Sequence, residues 1–129
     1  MDTFADIPGG DRFWETIAQA QGDAACMRAI LEESSIDELA EFHYDLEDAV
    51  AELLDEPFTE YLTKDSEDGA TDVAYWAVSQ GRAYYTRLFE QPHTIPRTVE
   101  DREFGVLHDG ITLGVYFERT GTYPPYRED

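Results

Sequence analysis

The 129-residue chain has one cysteine, one lysine, two methionines and no apolar run of membrane-spanning length. A lone Cys26 permits no intrachain disulfide and excludes a C-x-x-C redox or zinc motif. It stands in Ala24-Ala25-Cys26-Met27, an apolar helical setting that suits a buried, inert thiol. The N-terminus has no basic segment leading into an apolar one, so neither classical export nor membrane embedding is expected, and a reducing cytoplasm is the expected location. HExxH, GxSxG, a Walker A loop and GxGxxG are all missing. Zinc-protease, hydrolase, nucleotide-binding and dehydrogenase chemistry thereby lose their usual support, and neither cofactor nor metal is expected.

Positive charge is the other scarcity. Nine basic residues face twenty-nine acids, a formal charge of −20, and Lys64 is the sole lysine. This balance argues against nucleic acid and against anionic membranes as partners, because both present phosphates. The acids are also unevenly placed. Residues 32 to 68 hold fifteen acids and only Lys64, a net −14, whereas residues 69 to 97 hold two acids and three arginines, a net +1.

Apolar residues make up 42% of the chain, enough for one domain with its own core. The expected fold is all-α: a compact bundle of about five to six helices over residues 11 to 121. A flexible lead-in, 1 to 10, precedes it, and a loose tail, 122 to 129, follows. Asp11 opens a first helix carrying Phe13, Trp14 and Ile17, and Gly22 breaks it. Asp23 caps a second helix with Met27, Ile30 and Leu31 inward. Ser35-Ile36-Asp37-Glu38 has the form of a capping box, opening a third helix that Pro57 stops after Glu56. Its seam is Ile36, Leu39, His43, Leu46, Val50 and Leu53. His43 and Glu47 have metal-ligand spacing, but on this seam His43 reads as a satisfied core histidine.

The far side of the third helix holds Asp37, Glu41, Asp45, Asp48, Glu52 and Asp55. At 100° per residue they fall within an arc of roughly 80°. Like charges at i,i+4 cost a helix roughly 0.2–0.5 kcal/mol a pair, so something other than helix stability favours this row. A further helix is expected over 69 to 90, turning Val73, Trp76, Ala77, Gln80, Tyr84 and Leu88 to one side. The last segment is ambiguous between a β-hairpin near residues 103 to 117, turning at Asp109-Gly110, and a helix that Gly121 terminates. The spacing of Phe104, Leu107, Ile111 and Val115 favours the helix.

The stretch Ser66-Glu67-Asp68-Gly69-Ala70-Thr71-Asp72-Val73-Ala74-Tyr75-Trp76-Ala77-Val78-Ser79-Gln80-Gly81-Arg82 resembles the signature block of the bacterial domain-of-unknown-function family 4240. That family's core reads serine, two acids, glycine, then an aromatic helix ending W-x-x-S-Q-G-R. Tyr116-Phe117-Glu118-Arg119-Thr120-Gly121 is similar to the ending of its last helix, and the likeness spans about residues 11 to 121. Ser66, Asp68, Trp76, Gly81 and Arg82 carry the signature. Glu67, Ala70 and Ala74 depart from it, standing where the family has an aspartate, an aromatic and an arginine. The resemblance implies a fold and no established chemistry.

Asp65, Ser66, Glu67 and Asp68 have the oxygens for a divalent cation or for acid–base work, yet such groups also cap helix starts. Trp76 and Gly81 have simple packing roles. Arg82 either pairs with a carboxylate of the 35–55 helix or the 65–68 turn, or joins Arg87, Tyr84 and Tyr85 in gripping an anion. Of three readings, an enzyme using Glu67, Asp68 and Arg82 has least support. An acid-rich surface adapted to high salt is the second. The first is a non-catalytic binding protein, of immunity or inhibitor type, whose row Asp37 to Asp55 recognises a basic protein.

Overall fold

A computed structural model describes residues 8–20, 23–62, 67–98 and 109–125, with only the backbone of residues 67, 68 and 109. Six α-helices make up an all-α bundle with no strand among the described residues. They are α1 (Asp11–Ala20), α2 (Ala24–Glu33), α3 (Ile36–Leu53), α4 (Glu67–Ser79), α5 (Arg82–Glu90) and α6 (Asp109–Thr120).

The helix starts follow local chemistry. Asp23 accepts from the Ala25 amide at 2.9 Å, and the Ser35–Glu38 capping box is complete, each side chain taking the other residue's backbone N–H at 3.1 and 3.0 Å. α3 lies at the centre, packed on α6, α4 and α1, while α2 bridges α1 and α6. Leu39, Leu46, Ala49 and Leu53 of α3 are fully buried, and they meet Phe13, Trp14 and Ile17 of α1 and Val73 and Val78 of α4 in one core. α3 ends at Leu53, three residues before the expected Glu56. Leu54 and Asp55 bond back to Ala51 and Glu52 in i→i−3 fashion, tightening the chain into the turn before Pro57.

The helix expected over 69 to 90 is two helices. Gly81 has φ 106°, outside the right-handed region, so the chain turns there, and α5 begins with the bond from Tyr85 N to Gly81 O at 3.0 Å. A Cβ at Gly81 would meet nothing within 4 Å, so this glycine supplies backbone conformation and not the close helix contact expected of it. The break also redirects the side chains. Val73, Ala74, Tyr75, Ala77 and Val78 are buried, whereas Gln80 is exposed and Trp76 only half-buried, edge-on to Tyr84 across the corner at 5.5 Å.

The C-terminal hairpin is overturned, because Asp109 and Gly110 lie within α6; residues 103 to 108 fall outside the described residues. Gly121 closes α6 with φ 80° and a bond from its N–H to Phe117 O at 2.8 Å. Both chain ends are tied where they are described. Trp14 Nε1 donates to Pro8 O at 3.1 Å, and at the other end Tyr123 packs on Phe117 while the Tyr44 hydroxyl donates to Pro125 O.

α6 also completes α2. Arg119 Nη1 donates to the carbonyls of Leu31, at 3.2 Å, and Ser34 at the end of α2, adding to the Ser34 N–H that Leu31 O already accepts at 3.2 Å. Arg28 of α2 reaches Glu118 and, at 3.2 Å, Glu32.

Candidate functional site

α3 places its acids by its own periodicity. With Leu39, Leu46 and Leu53 inward, Asp37, Glu41, Asp48, Glu52 and Asp55 are exposed and Asp45 is half-buried. The helix contains no lysine or arginine. The arginines paired among the described residues are engaged by groups outside this row. Arg12 pairs with Glu38 at 2.6 Å, Arg28 with Glu32 and Glu118, Arg82 with Asp11 at 2.8 Å, and Arg87 lies over the Tyr84 ring at 5.8 Å. Asp37, Glu41 and Glu52 therefore meet no basic group among the described residues.

One part of the row borders a cleft. α1, the end of α2 and the first half of α3 enclose a volume of about 540 Å³, with Glu41 and Asp45 on the α3 side and Asp11 and Glu15 on the α1 side. Phe13 and Phe42 stand at its base, their ring centroids 5.0 Å apart. Glu38 lines it too. The Ser35 backbone N–H, and secondarily the Arg12 guanidinium, hold the Glu38 carboxyl below the usual carboxylate range.

Among its described residues the signature block assembles no pocket. Ser66 and Asp65 lie outside the described residues, as do the side chains of Glu67 and Asp68. Arg82 does pair with a carboxylate, that of Asp11 of α1, and not with one of the 35–55 helix; the side chains of residues 65 to 68 lie outside the described residues. Both partners are exposed, 46% and 83%. Arg82, Arg87, Tyr84 and Tyr85 point to different tasks. Tyr85 is fully buried and donates to Ala49 O at 2.7 Å, while Arg87 covers Tyr84.

His43 is a core histidine with both ring nitrogens engaged. Nδ1 is 2.6 Å from Thr112 Oγ1, and Nε2 is 3.2 Å from Glu47 Oε2. Hydroxyl, imidazole and carboxylate in line have the order of a nucleophilic triad, but Thr112 is fully buried, so no substrate reaches its oxygen. The set ties α3 to α6. Among the described residues no group of three or more His, Cys, Asp or Glu side chains is placed to hold a metal ion. No described helix is long and apolar enough to cross a membrane.

Sequence reasoning passed over Glu15 and Arg12 of α1. The signal for Glu15 was present: Asp11, Glu15 and Gln19 recur every four residues along one face of α1, opposite Phe13 and Ile17. No family model, no curated protein and no solved structure matches this chain.

Proposed function

We propose that this is a non-catalytic binding protein whose acidic α3 face recognises a basic protein partner, in the manner of an immunity or inhibitor protein. One observation carries the reading: Asp37, Glu41 and Glu52 are exposed on a helix with no basic residue and meet no basic group among the described residues. Complementary charge speeds encounter and rejects wrong partners, which gives a use to a row that costs its own helix stability. The resemblance to family 4240 adds no chemistry to it.

The test is co-purification from the native host at about 0.1 M and about 0.5 M salt, because screening weakens exposed charge pairs. A parallel bait carries Asp37→Asn, Glu41→Gln, Glu52→Gln and Asp55→Asn. A basic protein held at low salt, released at high salt and lost by the quadruple variant is the expected result. Capture that survives both changes refutes the reading.

The lone lysine among 129 residues favours a second reading, a surface adapted to high salt. It predicts a domain that unfolds at low salt and folds at molar salt, read by circular dichroism. A domain equally folded in both refutes it.

A further inference from the structure

The cleft between α1 and α3, at about 540 Å³, lies within the roughly 300–1,000 Å³ typical of small-ligand sites. Its carboxylates fall into two sets. Asp11 and Glu38 are already occupied, by Arg82 and by Arg12, itself on the cleft wall, and Asp45 is half-buried and engaged. Glu15 of α1 and Glu41 of α3 are exposed and have no partner among the described residues, and they reach the cleft from two different helices. The rings of Phe13 and Phe42 form the base between them. The chemistry wanted here is a cation that can serve carboxylates from two directions.

We propose that this cleft seats an arginine side chain of the basic partner, gripped jointly by Glu15 and Glu41. The inference rests on the acidic-face reading and narrows it to the N-terminal half of α3. A guanidinium presents five N–H donors in a planar fork, enough for two carboxylates and the side-chain oxygen of Gln19 on the same wall. It is also weakly hydrated, so entering the cleft costs it less than it costs an ammonium. A lysine offers a compact, strongly hydrated point charge that fits the outer acidic row equally well and the cleft less well.

The probes are a fluorophore-labelled hepta-arginine peptide and its hepta-lysine counterpart, titrated by fluorescence anisotropy at about 0.15 M salt. The cleft variant is Glu15→Gln with Glu41→Gln. The control, Glu52→Gln with Asp55→Asn, removes the same charge from the other end of α3. All four positions are exposed, so both variants keep the fold, which circular dichroism checks. The expected result is tighter binding of the arginine peptide, lost about tenfold in the cleft variant together with the arginine-over-lysine preference, while the control loses much less and keeps the preference. Equal losses in both variants, or no preference for arginine in the parent protein, overturn the cleft assignment and leave the acidic-face reading standing. No binding of either peptide overturns the cleft assignment as well, and the broader reading then depends on the host co-purification.

Discussion

Replacing Tyr85 with phenylalanine removes one oxygen from the middle of the bundle, and its effect changes sign with pH. Tyr85 is fully buried, its ring lies 5.0 Å from Trp14 and 5.1 Å from Phe89, and its hydroxyl donates to Ala49 O at 2.7 Å. Phenylalanine keeps the ring contacts, and the Ala49 carbonyl keeps its intrahelical donor, so only the net value of one buried hydrogen bond is lost. That value is about 1 kcal/mol, or roughly 4 °C in Tm for a domain of this size. At high pH a second effect opposes it. Burial, aided by the nearby Glu52 carboxylate, pushes the Tyr85 phenol far above its ordinary value of 10.0. The unfolded chain therefore releases the proton above pH 10 while the folded one keeps it. Stability from this group is full below pH 10 and falls by about 1.4 kcal/mol per pH unit above it. Tyr85→Phe lacks that loss. The two effects cancel near pH 11, and beyond it the variant is the more stable. Urea unfolding of both proteins from pH 7 to 11.5 gives the two curves. Parallel curves that never approach each other would show that the phenol is not held un-ionised by the core.

The bend between α4 and α5 predicts opposite outcomes at two glycines. Gly81→Ala strains a backbone at φ 106° and lowers stability by about 1–3 kcal/mol, whereas Gly114→Ala in α6, where the nearest heavy atom to the new Cβ is Arg28 Nη1 at 4.0 Å, raises it by about 0.5–1 kcal/mol. Urea midpoints decide both, and a harmless Gly81→Ala would contradict the bend. Glu38 tests the capping box. Its folded-state pKa lies below its unfolded value, so its contribution is present above the unfolded value of 4.5 and disappears as pH falls through the folded one. Glu38→Gln is expected to flatten the acid limb of a Tm-against-pH curve. An unchanged limb refutes that role.

Features set by neighbours in sequence were legible in it. Asp23, the Ser35–Glu38 box and Gly121 each act within a few residues, and each appears as read. His43 followed from its place on the apolar seam of α3, and Ile111 and Val115 at helical spacing outweighed the turn signal of Asp109-Gly110. The break at Gly81 was hidden because the apolar spacing from Val73 to Leu88 continues across it; a positive φ leaves no mark in periodicity. Contacts between distant segments were not legible at all. Asp11, which holds Arg82, lies 71 residues away in sequence, and the cleft exists only because α1 and α3 approach each other. The acidic row could be placed on one face of its helix, but not the fact that Glu41 and Asp45 border a cavity.

Arg119 has a consequence for how the protein is made. The carbonyls it reaches end α2, and the hydroxyl that meets His43 belongs to Thr112, so both groups arrive on α6, the last of the described helices in chain order. Helices α1 to α3 emerge first, with the Ser34 carbonyl at the end of α2 and the His43 ring each lacking one partner. Until α6 emerges, the nascent chain thus carries an unfinished core. A stop codon before residue 109 would leave the acidic helix packed on α1 and α4, without α6.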